Sequence, residues 1–245
     1  MEPSLSPSPR RHDKVQDNIP STQPVPVIVN PNVTEDKDVD ITDPVTRVFF
    51  FMTNYKVEVN NLFSSSVWIE TFDFDTNVLS EECLRRRELD KEGAVKSNQG
   101  GWQSKSLESL DSFLPLIERI TSSAYAFTDH LSLKELKLSN IWININGYND
   151  YNFLHDHPGA VISGVYYVKV PENGGNIEFY HPYLPCVIRD WREALKDYEM
   201  NNSPVWWYTS SDNMLFLFPS WLQHQVQPNM SQEDRISISF NFDVK

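Results

Sequence analysis

Two short stretches in the later part of the chain hold side chains able to do chemistry together: His155-Asp156-His157, and His224 followed by Arg235-Ile236-Ser237. Histidines two apart on an extended strand point to the same side, because successive side chains alternate faces. His224 closes a facial set of three around one metal ion if the strands between fold back into a barrel. The Arg-x-Ser matters as much. A guanidinium fork suits a carboxylate, and Ser237, two residues on and on the same face, donates a second hydrogen bond. Metal ligands beside a carboxylate clamp point to non-haem iron chemistry with 2-oxoglutarate.

Simpler readings have to be set beside this one, because a single His-x-His often occurs by chance. Asn152-Phe153-Leu154 and Gly159 put the pair just before a core strand, where a barrel mouth would lie. Pro219-Ser220-Trp221 carries His224 to the same end, and Arg235 falls on the next strand. A cupin-type dioxygenase would want a glutamate shortly after the pair, where Gly159-Ala160-Val161-Ile162 stands. A zinc hydrolase needs more ligands than Pro158-Gly159-Ala160 supplies. His181 reads as a loop histidine and His130 as a helix-terminal charge. Cys83 and Cys186 lack metal- or nucleophile-type neighbours and read as buried apolar side chains.

The elements that must position these residues begin after residue 45. Residues 1–45 hold eight of the sixteen prolines, no glycine and no aromatic residue, with four basic against eight acidic side chains. Such a segment cannot bury enough apolar surface to offset chain entropy and is expected to be disordered. Order is expected from 46 onward, with Val67–Phe72 as the clearest early strand. Helices are expected over 80–92, at the surface, and over 113–131, where Phe113, Ile117, Ile120, Ala124, Phe127 and Leu131 recur at helical spacing. Pro115 is tolerable there only in the first turn.

From 139 the pattern changes to period two, as Ile141, Ile143 and Ile145 alternate with Trp142, Asn144 and Asn146. Strands follow at 161–170, 176–180, 205–209, 214–218, 223–227 and 235–243. The last carries Arg235, Ser237, Ser239 and Asn241 on one face and Ile236, Ile238, Phe240 and Phe242 on the other. A polar face so close to a core is expected to line a cavity. The fold expected is mainly β, a jelly-roll barrel with flanking helices. Trp142, Asn144, Tyr167 and Trp221 are candidates for its pocket.

Composition narrows the partners. The 245 residues, 40% hydrophobic and 13% aromatic, are enough for a large core. A net charge of −13 removes non-specific attraction to nucleic-acid phosphates or anionic lipid as a driving force. No apolar run is long enough to span a bilayer, and two cysteines do not make a cross-linked scaffold, so a cytoplasmic protein is expected.

Several blocks taken together resemble a known family. These are Ser97-Asn98-Gln99-Gly100-Gly101-Trp102-Gln103-Ser104; His155-Asp156-His157-Pro158-Gly159 with Ser163-Gly164-Val165-Tyr166-Tyr167; and Phe218-Pro219-Ser220-Trp221-Leu222-Gln223-His224 running on to Arg235–Asn241. Over roughly 60–245 the chain is similar to the iron(II)/2-oxoglutarate-dependent oxygenases, and among them to a family found in tailed phages and marine bacteria. The resemblance implies a cupin-like double-stranded β-helix; with order expected from 46, a single domain is expected over 46–245, an N-terminal layer (46–137) before the jelly-roll core (138–245). It implies iron(II) on His155 and His224. It places 2-oxoglutarate on Arg235 and Ser237, with Asn144 and Tyr167 as further contacts. The superfamily's third ligand is usually an acid where His157 stands here, so either His157 or Asp156 completes the set, with three histidines favoured. The reaction implied is hydroxylation of an unidentified substrate with O2, releasing succinate and carbon dioxide, in the host cytoplasm if the source is viral. The competing reading is a non-catalytic jelly-roll binding module that docks through its tail.

Overall fold

The computed structural model describes residues 59–60, 62–108 and 110–245, so the tail 1–45 and the expected start of order at 46 lie outside the described residues. In chain order the elements are β1 (Trp68–Thr71), α1 (Thr76–Leu89), β2 (Asn98–Gln99), β3 (Trp102–Gln103), α2 (Leu114–His130), β4 (Leu136–Asn146) and β5 (Tyr151–His155). They continue with β6 (Ile162–Lys169), β7 (Asn176–Tyr180), β8 (Val205–Thr209), β9 (Met214–Pro219), β10 (His224–Val226) and β11 (Arg235–Val244). Two antiparallel sheets result, in the orders β1-β9-β6-β11-β4-β3 and β2-β5-β10-β7-β8. The chain crosses between them from β4 to β7 and again from β8 to β11, which is the expected jelly roll.

Alternation decides what each face does. On β4 and β11 the isoleucines and phenylalanines turn outward into a core shared with the helices, which contains Ile141, Ile143, Ile238, Phe240, Ile120 and Phe127. A second buried cluster fills part of the space between the sheets, where Val165, Tyr167, Phe216 and Phe218 of one meet Ile177 and Phe179 of the other. The remaining inner surface carries polar side chains among apolar ones and holds the site.

α2 covers the outer face. Pro115 lies in its first turn, as expected, and a 3-10 turn over Asp111–Phe113 leads in. Leu116, Ile120, Ala124 and Phe127 are buried, whereas Ile117 and Leu131 are only partly so. Glu70 on β1 accepts from Ser123 Oγ at 2.8 Å and ties the helix to the sheet edge. α1 begins earlier than the expected 80–92, because the Asp75 side chain accepts from Asn77 N and starts the first turn. It buries Cys83. Cys186 is exposed, which corrects the reading of both cysteines as core. It lies on the long 181–204 connection between β7 and β8, in a short helical turn over Leu184–Cys186 that passes into a π-turn over Val187–Trp191.

The Gly100-Gly101 turn joins β2 in one sheet to β3 in the other. Gly100 has φ +66°, and a Cβ there would lie 1.9 Å from Asp150 Oδ1, so only glycine lets this loop close over Asp150. The turn thereby sets β2 against β5, the strand that ends in His155. Among the described residues no helix is long and apolar enough to cross a membrane.

Candidate metal centre and carboxylate pocket

His155 is the last residue of β5 and pairs in register with His224, the first of β10. His157 lies beyond the strand end rather than on it. Its backbone N–H donates to Ser220 O at 2.9 Å and its carbonyl accepts from Ala160 N, a turn that brings its ring back to the other two. One ligand atom from each of the three histidines lies within 4.8 Å of the others. The Nε2 atoms of His157 and His224 are 3.3 Å apart. Two nitrogens bound at about 2.1 Å to one ion, at angles of about 90–110°, stand about 3.0–3.4 Å apart, so this spacing suits a shared ion.

Local hydrogen bonds set which nitrogen faces inward. His155 Nδ1 lies 2.6 Å from Phe153 O and His224 Nδ1 lies 2.9 Å from Leu222 O. A carbonyl only accepts, so both Nδ1 atoms carry the proton and both Nε2 lone pairs are free. Burial lowers the pKa of all three rings: His157 falls to about 4, with His155 adding to the effect, and His224 falls well below the usual histidine range. Near neutral pH the cluster is therefore uncharged, the form that binds a metal. Asp156 is exposed and lies outside the cluster, although its charge raises the proton affinity of His155 and so adds negative potential there.

The residues expected to bind a carboxylate are carried by β11. Arg235 is only 1% exposed. Its Nη1 donates to the carbonyls of Gly174 and, at 2.9 Å, Gln227. Among the described residues its Nη2 is buried without a partner. Burial lowers the guanidinium pKa, while the Tyr167 hydroxyl and the Asp150 carboxylate oppose the shift. Ser237 pairs in register with Asn144 on one side and Tyr167 on the other, so the three form a row across β4, β11 and β6. Tyr167 Oη and Asn144 Oδ1 are also buried without well-formed hydrogen bonds. Leaving a buried polar group unpaired costs about 1–3 kcal/mol. Arg235 Nη2 and Asn144 Oδ1 thus keep unmet hydrogen-bonding capacity on the paired strands β11 and β4.

The histidines open on a cleft whose polar lining is Ser97, Asn144, Asn152, Ser237 and Ser239, with Trp142 among its apolar walls; Arg235 is not among the residues that line it. Among the described residues no Asp, Glu, Lys or Arg lines it. Tyr167 lies behind the cleft wall rather than on it, and Trp221 is 55% exposed and does not line it. Four contributors escaped sequence reasoning. Ser97 and Asn152 are joined by an Asn152 Nδ2 to Ser97 Oγ bond of 3.1 Å, made possible by β2–β5 pairing. The carbonyls of Gly174 and Gln227 have no side-chain signature at all.

Residues 140–241 match a family model described as "Putative 2OG-Fe(II) oxygenase". A search among curated proteins finds no significant match. Among solved structures the fold is similar to a prolyl-4-hydroxylase from Pseudomonas putida, at 14% identity and TM-score 0.53 over 75% of this chain and 95% of that one. It is similar to the 2-oxoglutarate-dependent epimerase SnoN of nogalamycin biosynthesis, at 16% identity and TM-score 0.54 over 74% of this chain and 77% of that one. It is also similar to a Trichoplax adhaerens prolyl hydroxylase in complex with a hypoxia inducible factor peptide, at 13% identity and TM-score 0.52 over 72% of this chain and 83% of that one. At these identities the structures establish a shared fold, while the family match spans the strands that carry the histidines and Arg235. Over residues 140–241, which hold the three histidines and Arg235, the chain thus matches the putative 2OG-Fe(II) oxygenase family, and its fold is shared with a prolyl-4-hydroxylase and a 2-oxoglutarate-dependent epimerase.

Proposed function

We propose that the protein hydroxylates a C–H bond of its substrate, with iron held by His155, His157 and His224 and 2-oxoglutarate held by Arg235, Ser237, Asn144 and Tyr167. The observation that carries the reading is the cluster of three neutral histidines on a cleft that Ser237 of β11 also lines, with Arg235 Nη2, two residues before Ser237 on the same strand, buried without a partner among the described residues. A non-catalytic jelly roll docking through its tail would leave that nitrogen, Tyr167 Oη and Asn144 Oδ1 buried and unpaired.

When bound, iron(II) and 2-oxoglutarate supply O2 activation, one oxygen atom leaving in succinate after loss of carbon dioxide and the other entering the substrate. The chain's own residues do the positioning. Arg235 and Ser237 present donors to the far carboxylate, and the Gly174 and Gln227 carbonyls hold the guanidinium through Nη1, leaving Nη2 for the ligand. Tyr167 adds a hydroxyl donor, and burial keeps that hydroxyl protonated by raising its pKa. Three neutral imidazoles leave one more unit of positive charge on the ion than a set containing a carboxylate, which favours a dianionic co-substrate. Asp156 acts from outside the ligand set, through its field on His155. The uncharged lining at Ser97, Asn152 and Trp142 admits the substrate C–H without an ionic anchor beside the metal.

The same reading takes 46–245 as one oxygenase domain, with 138–245 as its jelly-roll core. The family match at 140–241 supports it. Two free cysteines support a cytoplasmic setting, and the quoted sequence blocks support kinship with oxygenases of tailed phages and marine bacteria. The test is succinate formation from 2-oxoglutarate by the purified protein. Turnover that requires both iron(II) and O2 is expected, and iron-loaded protein with none above a protein-free control would contradict the proposal.

A further inference from the structure

The three histidines are not held alike. The rings of His155 and His224 are each pinned by an Nδ1–H bond to the carbonyl two residues earlier, Phe153 and Leu222. Among the described residues no such bond holds His157 Nδ1; its one polar ring contact is Nε2 to His224 Nε2. Its ring is instead held by other rings. Trp142 stacks on it with centroids 5.7 Å apart and planes at 29°, and His224 stacks on it at 5.1 Å and 3°. Trp142 stands on β4 in the middle of its sheet, paired with Ser239 of β11, so its backbone is fixed on a rigid element. His157 lies past the end of β5, where only backbone bonds to Ser220 and Ala160 restrain it. A ligand histidine normally needs a partner to set its orientation, and that partner is usually a hydrogen-bond acceptor.

We infer that Trp142 is a positioning residue for the metal centre, its indole holding the His157 imidazole in ligand orientation in place of the carbonyl that pins the other two. This rests on the reading of His157 as the third ligand. Trp142 need touch neither iron nor substrate to do it; it acts through His157. A flat aromatic surface is the requirement, so phenylalanine keeps part of the function and leucine loses it.

The experiment is an anaerobic iron(II) titration, read by competition with a chromophoric chelator, on wild type, Trp142→Leu, Trp142→Phe, His157→Ala and the Trp142→Leu/His157→Ala double variant. Thermal melts of the metal-free proteins check folding. Trp142→Leu is expected to weaken iron(II) binding on the order of tenfold, as removal of an orienting partner does. Trp142→Phe should lie between leucine and wild type, and leucine should add nothing once His157 is gone. Unchanged affinity in Trp142→Leu beside a weakened His157→Ala would overturn the positioning role, as would losses that multiply in the double variant. Unchanged affinity in His157→Ala would instead remove the underlying ligand reading.

Discussion

Replacing Arg235 by lysine keeps a cation in the pocket and removes the fork. In the wild type one nitrogen, Nη1, satisfies the Gly174 and Gln227 carbonyls while the other, Nη2, is buried and free. A lysine has a single ammonium nitrogen on a flexible stem, so the carbonyls and an incoming carboxylate must compete for it. The complex therefore loses about one charge-assisted hydrogen bond, which contributes about 1.5–3 kcal/mol. At about 1.4 kcal/mol per decade, the Kd for 2-oxoglutarate should rise roughly 10- to 150-fold. The assay is an anaerobic titration of 2-oxoglutarate into iron(II)-loaded protein, followed by the visible charge-transfer band. Iron(II) affinity should change little, because Arg235 lies outside the histidine cluster. A folded, iron-loaded Arg235→Lys protein with Kd within about twofold of wild type would refute the division of labour between the two guanidinium nitrogens.

The pocket's backbone makes a second prediction. Gly175 has φ +86°, and a Cβ there would meet Gln227 O at 2.6 Å, Pro228 O at 2.8 Å and Arg235 Nη1 at 2.9 Å. Gly175→Ala should lower stability by about 1–3 kcal/mol and weaken 2-oxoglutarate binding, as read from denaturant melts and the same titration; wild-type behaviour in both would show that the cradle can yield. The third concerns pH. The folded pKa of His157 lies near 4, below the ordinary 6.5, so the unfolded chain takes up a proton there that the metal-free fold refuses. Stability from this group is complete above about pH 6.5 and lost as pH falls towards 4, by about 3 kcal/mol in all. His155 and His224 are shifted the same way and steepen the loss. Denaturant melts of metal-free wild type and His157→Gln across that window should give a shallower slope for the variant, and equal slopes would contradict the assigned burial.

What the sequence revealed about the site depended on period two. β11 alternates without interruption through Arg235, Ser237 and Ser239, so its inward face was legible in full, as was the role of Ile141, Ile143 and Ile145 in facing the helices. The His155–His157 pair was found by the same rule, although His157 reaches the cluster through a turn beyond the strand. Contributions from the backbone were illegible: nothing in the side chains of Gly174 or Gln227 marks their carbonyls as the seat of a guanidinium. Ser97 and Asn152 were missed because they meet only when β2 pairs with the edge of β5. Cys186 and Trp221 were misplaced for the opposite reason, since apolar character alone does not tell a buried position from an exposed one on a connection between strands.

The central claim is that three histidines and Arg235 assemble one iron(II)/2-oxoglutarate centre. Anaerobic addition of iron(II) and then 2-oxoglutarate to wild type, His157→Ala and Asp156→Ala tests it most directly, with bound iron quantified in each. A visible charge-transfer band is expected in wild type and Asp156→Ala and absent from His157→Ala, since His157 lies in the cluster and Asp156 does not. A band that survives loss of His157 and disappears with Asp156 would move the third ligand by one residue. Iron-loaded wild type that develops no band would contradict the account.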